Sequence, residues 1–179
     1  KIYPFHFVIK TMNFFNNLIN KKLTSKNENF KHLKIGLIGA GTQGTILSSL
    51  IEESGAKLVA VHDTNLVRAR KLKLLHKADL ATDKLEEFFN INMDGVLICT
   101  MPKVRIEPIK LACKNKIHLL IEKPAAYNLK EGQECYSLIK NSNIISSVGF
   151  QLRYEPRYER LKEIIKNQEI HLVRTVCTV

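Results

Sequence analysis

The sequence lacks the cysteine spacing of a metal or redox site. Its four cysteines never form a C-x-x-C pair, so neither a zinc site nor a thioredoxin-like dithiol is predicted. Three of them lie within apolar periodic segments, where an unpaired cysteine behaves as a small hydrophobic residue. This usage is typical of a reducing compartment, and we therefore expect a cytoplasmic protein without a metal centre.

Long hydrophobic runs are also missing. No apolar stretch approaches the roughly 20 residues that span a bilayer, and the leading segment KIYPFHFVIKTMNFFNNLINKK is interrupted by Asn, Lys and Pro. This segment has no clean signal-peptide core or cleavage site either. We therefore expect no membrane partner. The alternative for this segment is a short amphipathic anchor formed by Phe14, Phe15, Leu18 and Ile19.

Acidic residues are scarce, and the imbalance is concentrated at one end of the chain. Lysine and arginine number 28 against 17 acids, a net charge of +11 that would suit a nucleic-acid partner. Residues 1–34, however, hold seven lysines and one acid, Glu28, and so supply six of these charges. No interleaving of aromatic and basic residues forms a stacking platform, so nucleic-acid binding is not expected. We interpret residues 1–31 as a disordered basic extension, within which Met12 is a candidate start.

From Lys34 onward, apolar strands alternate with amphipathic helices. The predicted strands are Lys34–Ile38, Lys57–His62, a short strand near Ala78–Ala81, Val96–Cys99, Ile117–Ile121 and Ile144–Val148. The predicted helices are Thr42–Ser54, Leu66–Leu75, a short helix with an Asp83–Glu86 capping box, Lys103–Asn115, a helix capped by Asn128 with Glu131, and Glu155–Lys166. This alternation predicts an α/β fold with a doubly wound parallel sheet.

A glycine loop follows the first predicted strand. The motif Gly39-x-Gly41-x-x-Gly44 stands between a strand and a helix, the setting in which it binds a dinucleotide. Gly39 would permit the tight turn, Gly41 would let the backbone approach a pyrophosphate, and Gly44 would let the helix pack closely. The phosphates would meet free N–H groups at the start of the helix, where Thr42 and Gln43 stand.

An acidic residue ends the second predicted strand. Asp63 lies 19 residues after Gly44, where a carboxylate would accept hydrogen bonds from an adenosine ribose. Its charge would repel a 2′-phosphate and so favours NAD, whereas Arg68 and Arg70 just downstream leave NADP as the alternative. Ordinary roles exist for each feature, namely a plain turn for the glycines and a helix cap for Asp63. Their coincidence predicts a nicotinamide dinucleotide cofactor.

A charged turn ends the fifth predicted strand. Glu122-Lys123-Pro124 follows an apolar run, and its proline stops strand pairing and restricts the backbone of the lysine. Ligands of open α/β sheets bind at the carboxyl ends of the strands, so Lys123 is a candidate site residue. Taken in isolation, this tripeptide would be a solvated turn.

Together these motifs resemble the Gfo/Idh/MocA oxidoreductases. The resemblance rests on IGLIGAGTQG, VAVHD, VLICTMP, HLLIEKPAAYNL and VGFQLRYEPRYERLKEII, and it covers roughly residues 33–179. It implies a Rossmann NAD(P)-binding domain over residues 32–150 and the beginning of an incomplete α/β substrate domain over residues 151–179, with Ile170–Val179 as its first strand. We therefore expect an N-terminal fragment, inactive by itself, of a protein that is homo-oligomeric at full length.

The resemblance also implies roles for individual residues. Lys123 would be catalytic, stabilising charge on the substrate oxygen as hydride leaves the neighbouring carbon. Glu122 would orient the lysine, and Pro124 would fix the turn, through a cis bond as in relatives. The residues expected to bind the cofactor are Gly39, Gly41, Thr42, Gln43, Gly44, Asp63, Cys99, Thr100, Pro102, Glu122 and Lys123. Those at the passage to the second domain are Gly149, Phe150, Gln151 and Arg153, of which Gln151 and Arg153 are substrate candidates alongside Lys123.

The activity implied is NAD(P)-dependent oxidation of a sugar, polyol or cyclitol hydroxyl. Two alternatives stay open: an NAD-dependent glycosidase of the same family, and a cofactor-binding sugar sensor or corepressor without turnover. Retention of Lys123 favours chemistry over sensing. The sequence departs from the family pattern at two points. Arg105 stands where histidine is common, and none of the six histidines matches the family's Asp-x-x-x-His pair.

Overall fold

Six parallel strands form one sheet in this computed structural model, which describes residues 32–172 and Arg174. The strands are β1 (Lys34–Ile38), β2 (Lys57–His62), β3 (Leu80–Thr82), β4 (Gly95–Ile98), β5 (His118–Ile121) and β6 (Ser146–Val148). The helices are α1 (Thr42–Glu53), α2 (Leu66–His76), α3 (Leu85–Phe89), α4 (Ile106–Lys114), α5 (Leu129–Ser142) and α6 (Pro156–Ile165). Short 3₁₀ turns occupy Pro102–Val104 and Gln151–Tyr154. The predicted α/β class is confirmed.

The strand order is β3-β2-β1-β4-β5-β6, the order of a dinucleotide-binding Rossmann sheet. The chain winds outward from β1 in one direction and then returns to β4 on its other side. This reversal leaves a crevice at the carboxyl ends of β1 and β4, where ligands of such sheets bind. The ladder continues to the crevice, because Cys99 N–H donates to the Ile38 carbonyl at 2.8 Å.

Two apolar layers cover the two faces of the sheet. Neighbouring strand residues alternate between them, so that Leu97 of β4 packs in the first layer and Ile98 in the second. Helices α1 and α2 supply the first layer with residues such as Leu47 and Leu72, whereas α3, α4 and α5 supply the second. Strands buried on both faces explain the nearly continuous apolar runs in the sequence.

Two predicted helix starts have different outcomes. The Asn128–Glu131 cap of α5 is confirmed, since Asn128 Oδ1 accepts from Glu131 N–H at 2.9 Å. The capping box of Asp83 and Glu86 is wrong, because Lys84 is the N-cap residue of α3 and no described side chain caps this helix. Thr82 organises this turn instead. Its hydroxyl accepts from Lys84 N–H at 3.1 Å and donates to the carboxylate of Glu87 at 2.7 Å.

Several boundaries differ slightly from the predicted ones. The predicted helix Lys103–Asn115 is divided into a 3₁₀ turn and α4, with Arg105 at the junction. None of the helices between residues 32 and 172 has both the length and the apolar character needed to cross a bilayer. The predicted extension over residues 1–31 lies outside the described residues, as does most of the predicted strand Ile170–Val179.

Candidate cofactor and substrate site

A cleft of about 840 Å³ opens at the carboxyl ends of β1, β2 and β4. Most residues predicted to bind a cofactor line it, namely Gly39, Gly41, Thr42, Gln43, Asp63, Cys99 and Thr100. The sequence-based prediction missed other lining residues, namely Ile38, His62, Thr64, Asp83, Lys84, Leu85, Glu86, Met101, Val104 and Pro108. Many of these follow β3. Because β3 is the parallel neighbour of β2, the loop that follows β3 lies at the same edge of the sheet as the loop that follows β2. The strand order would therefore have indicated these residues.

The three glycines of the loop meet different surroundings. Gly39 has φ +97°, a backbone conformation that residues with a side chain rarely adopt. A Cβ atom at Gly44 would lie 1.9 Å from the Gly39 carbonyl oxygen, so α1 packs against the loop only because this residue is glycine. A Cβ atom at Gly41 would meet nothing within 4 Å, and this residue borders the cleft.

The start of α1 fits a phosphate group. Among the described residues no side chain caps this helix, so the N–H groups of its first turn beyond Gly41 remain available to a ligand. Thr42 and Gln43 line the cleft, so these donors and the positive end of the helix dipole lie at its border. Open space beside Gly41 and free donors at Thr42 and Gln43 are what a pyrophosphate requires.

Asp63 holds the glycine loop against the end of β2. Its Oδ2 atom accepts from Ala40 N–H at 2.7 Å, and its Oδ1 atom accepts from Asn65 N–H at 2.8 Å. The side chain that caps α2 is that of Asn65, not Asp63. A carboxylate has about four acceptor positions, so Asp63 retains capacity for two ribose hydroxyls.

The charged groups around Asp63 are mixed in sign. Arg68 lines the cleft, whereas Arg70 does not belong to its lining, and the acids Asp83 and Glu86 lie there as well. His62 is buried beside them, and desolvation lowers the pKa of its ring below the usual value. The neutral imidazole approaches the Asp83 carbonyl oxygen at 3.2 Å through Nε2.

The wall of the cleft beyond β4 is less polar. Cys99 borders the cleft, and burial, with the nearby charge of Glu122, raises the pKa of its thiol to about 12. The thiol is therefore protonated at neutral pH and is not a nucleophile. The hydroxyl of Thr100 is buried and has no hydrogen-bond partner among the described residues.

The turn after β5 joins this wall through Glu122. Its buried carboxylate accepts from Gln43 Nε2 at 3.1 Å and from Lys123 N–H at 3.0 Å. The peptide bond between Lys123 and Pro124 is cis, as the resemblance implies. Glu122 thus contacts the backbone of the lysine, and between residues 32 and 172 no carboxylate forms an ion pair with the exposed Lys123 ammonium.

Arg105 connects the same turn to the loop after β4. It is only 3% exposed, and its guanidinium donates to the carbonyl oxygens of Thr100, Glu122 and Pro124. The sequence-based prediction noted Arg105 only as a departure at a position where histidine is common. The contacts of its side chain had no signal in the sequence.

The remaining predicted residues lie outside the cleft lining. Gly44 is buried against Gly39 of the glycine loop, and Pro102 begins the 3₁₀ turn after β4. Gln151 and Arg153 follow β6 on the second 3₁₀ turn, with the Arg153 guanidinium 5.6 Å from the centre of the Phe150 ring. This segment begins beside the lysine turn, since a Cβ at Gly149 would lie 3.3 Å from Glu122 Oε1.

Comparison with known proteins gives consistent matches over this domain. The Gfo/Idh/MocA family model, described as an oxidoreductase family with an NAD-binding Rossmann fold, matches residues 33–150. The myo-inositol 2-dehydrogenase of Thermotoga maritima is 30% identical over 147 residues, covering 79% of this chain and 44% of the relative. The scyllo-inositol 2-dehydrogenase (NAD(+)) of Bacillus subtilis is 28% identical over 141 residues, covering 77% of this chain and 41% of the relative.

Solved structures share the fold. A probable dehydrogenase from Thermotoga maritima superposes with a TM-score of 0.70 at 30% identity, over 75% of this chain and 41% of that chain. Scyllo-inositol dehydrogenase from Lactobacillus casei, solved with NAD(H) and scyllo-inositol, gives 0.71 at 21% identity over the same shares. The chain thus spans less than half the length of the relatives it matches. The family model, the strand order and the glycine loop agree that this chain belongs to the Gfo/Idh/MocA oxidoreductase family.

Proposed function

We propose that this chain forms the cofactor-binding part of an NAD-dependent dehydrogenase that oxidises a hydroxyl group of an inositol or a related polyol or sugar. The observation that carries the proposal is the hydrogen bond between Gln43 and Glu122. It ties the glycine loop directly to the turn of Lys123, so a cofactor on the loop and a substrate at the lysine would be neighbours. The inositol dehydrogenases among the relatives support the substrate class.

The residues of the cleft would each hold one part of the cofactor. N–H groups of Thr42 and Gln43 would bind the pyrophosphate, and Asp63 would accept hydrogen bonds from the adenosine ribose. Cys99, Thr100 and Pro102 would border the nicotinamide ribose. The bound NAD would supply the hydride acceptor. Since a 2′-phosphate would lie close to the charge of Asp63, NAD is the preferred cofactor despite Arg68 in the same cleft.

Lys123 would act on the substrate. Its ammonium is exposed and carries no ion pair to any described side chain, so its N–H donors are available to a substrate hydroxyl oxygen. As hydride leaves the adjacent carbon, negative charge develops on this oxygen, and a preorganised cation stabilises it more than it stabilises the ground state. Gln151 and Arg153 would bind further hydroxyls of the substrate.

The substitution Lys123→Ala in the complete gene product tests this role. We expect unchanged NAD affinity by calorimetry and a strong decrease in kcat, because the lysine interacts most strongly with the transition state. NADH formation is followed spectroscopically with myo-inositol, scyllo-inositol and a panel of sugars. The matched control is Lys103→Ala, which removes a nearby lysine that lies 4.5 Å above the Tyr127 ring.

Two results would contradict the proposal. If Lys123→Ala keeps a near-normal kcat on the best substrate, the lysine is structural. If the unaltered protein binds no nicotinamide dinucleotide, the assignment of the cleft itself is wrong.

A further inference from the structure

Arg105 is a buried cation that forms no ion pair with any described side chain, although the charge of Glu122 acts on it. Its side chain is 3% exposed, and its donors go to the backbone carbonyl oxygens of Thr100, Glu122 and Pro124. Burial of a cation is unfavourable unless hydrogen bonds replace its water. Three carbonyl groups replace the water here. A buried charge held in this way indicates a geometric role for the side chain.

The three carbonyl groups belong to two separate loops. Thr100 follows β4 and lines the cleft, and Nε of Arg105 lies 3.0 Å from its carbonyl oxygen. Glu122 and Pro124 stand immediately before and after Lys123. The planar guanidinium has five N–H donors in a fixed arrangement, which is why one side chain can join both loops. A lysine ammonium, with a single nitrogen, could not span the same carbonyl groups.

We propose that Arg105 is a positioning residue that fixes the turn of Lys123 relative to the cleft wall at Thr100. This inference rests on the proposed function, in which that wall borders the nicotinamide ribose and Lys123 meets the substrate. Arg105 touches neither cofactor nor substrate. It acts by holding the two loops at one separation.

The first test compares NAD with ADP-ribose, which lacks nicotinamide. In Arg105→Ala and Arg105→Lys, we expect ADP-ribose affinity within about twofold of the unaltered protein, because the Arg105 guanidinium donates to Thr100, Glu122 and Pro124 and not to Asp63 or Gly41. NAD affinity should fall about tenfold, the equivalent of one hydrogen bond to a charged group that is lost or misplaced. Arg160→Ala is the control, since this exposed arginine pairs with Glu163 on α6.

The second test separates positioning from general stability. A guanidinium ion, added far below denaturing concentrations, should enter the space left in Arg105→Ala and restore part of the NAD affinity. Rescue should fail with methylammonium, which cannot bridge two loops. The lysine variant keeps the charge, so it preserves the comparison if the alanine variant does not fold.

The third test measures whether Arg105 acts through Lys123. In the complete gene product, Arg105→Lys should lower kcat about 10²-fold with little change in KM for the substrate, as misplacement of a catalytic group does. Added to Lys123→Ala, the same change should lower kcat no further.

The outcomes for Arg105 and for the proposed function are distinct. Failure of the unaltered protein to bind NAD overturns the proposed function. NAD binding that falls in step with ADP-ribose binding, or equal kcat losses in both backgrounds, overturns the positioning role and leaves the proposed function intact.

Discussion

Gly41 and Gly44 show how two residues of one motif serve different ends. A side chain at Gly44 would collide with the backbone of the same loop, whereas a side chain at Gly41 would extend into open space within the cleft. Replacement of Gly44 would therefore damage the fold, whereas replacement of Gly41 would damage only the binding of a ligand in the cleft. The difference is testable residue by residue.

We expect Gly41→Val to abolish NAD binding while the melting temperature changes little. We expect Gly44→Ala to lower the free energy of unfolding by at least about 3 kcal/mol, the upper range for overpacking, because a backbone carbonyl cannot move aside. Thermal unfolding and calorimetry of both variants measure these effects. If the Gly41→Val protein binds NAD normally, the pyrophosphate does not bind at this loop.

Asp63 combines a structural and a binding contact. Asp63→Ala should weaken NAD binding by roughly 1–3 kcal/mol, the value of hydrogen bonds to a charged group. The preference for NAD over NADP should narrow in the same variant, because the charge that repels the 2′-phosphate is gone. Calorimetry with both cofactors provides the measurement. Asp79→Ala is the control, since Asp79 is an exposed carboxylate that pairs with Lys57 away from the cleft. Equal affinities in the unaltered protein would refute the assignment.

At the scale of elements, helix α2 shows what local sequence can determine. Asn65 accepts from Val67 N–H at 3.1 Å and caps its first turn, and Lys77 ends it in the left-handed conformation with φ 51°. Asn65→Ala should lower the free energy of unfolding by about 1 kcal/mol. Lys77→Gly should raise it by up to about 1 kcal/mol, because glycine adopts this conformation without strain. Urea denaturation of both variants is the measurement, and a destabilised Lys77→Gly would contradict this account.

The strands and most helices were predictable because their apolar spacing is also their packing pattern. Lys57–His62 was predicted with its observed boundaries, and the Asn128 cap followed from residues three apart. The capping box at Asp83 failed because Thr82 and Glu87 supplied a competing set of hydrogen bonds to the same turn. Local patterns indicate which contacts are available, and tertiary surroundings decide among them.

At the scale of the whole molecule, the candidate site was predictable where it follows strand ends and unpredictable where it depends on distant loops. The glycine loop and Asp63 lie at the carboxyl ends of adjacent strands, so their meeting follows from the fold. The contact of Arg105 with Glu122 and Pro124 joins segments that no sequence rule relates. The charge of Arg105 is evident from the sequence, whereas its burial and its hydrogen bonds to carbonyl groups are known only from the packed structure.

Acid should destabilise the whole domain through two histidines, the buried His62 and the half-buried His118. Desolvation lowers the pKa of His62 and of His118 below the ordinary value of 6.5. His118 Nδ1 also accepts from Ile145 N–H at 3.2 Å, a contact that requires the unprotonated nitrogen. Because the unfolded chain binds these protons more readily, the stabilisation is fully present above pH 6.5 and is lost as pH falls through the lowered folded-state values.

Urea denaturation at pH 7.5 and below 6.5 measures this dependence. His62→Gln and His118→Gln should each flatten the change in unfolding free energy over this range. His171→Gln, which alters an exposed histidine, should leave it unchanged. If the unfolding free energy of the variant that carries both His62→Gln and His118→Gln still changes with pH over this range, other groups cause the effect.

The position of β1 between β2 and β4 also sets an order in time. As the chain leaves the ribosome, β2 emerges soon after β1 and can pair with it. The pairing of β1 with β4, in which Gly36 lies beside Val96, must wait for a far more distant segment. Contacts between distant segments form slowly because the intervening chain must first be brought together. The glycine loop and Asp63 can therefore meet while the Arg105 and Lys123 loops are still being synthesised. A nascent chain would acquire an affinity for adenosine before it could place a nicotinamide ring.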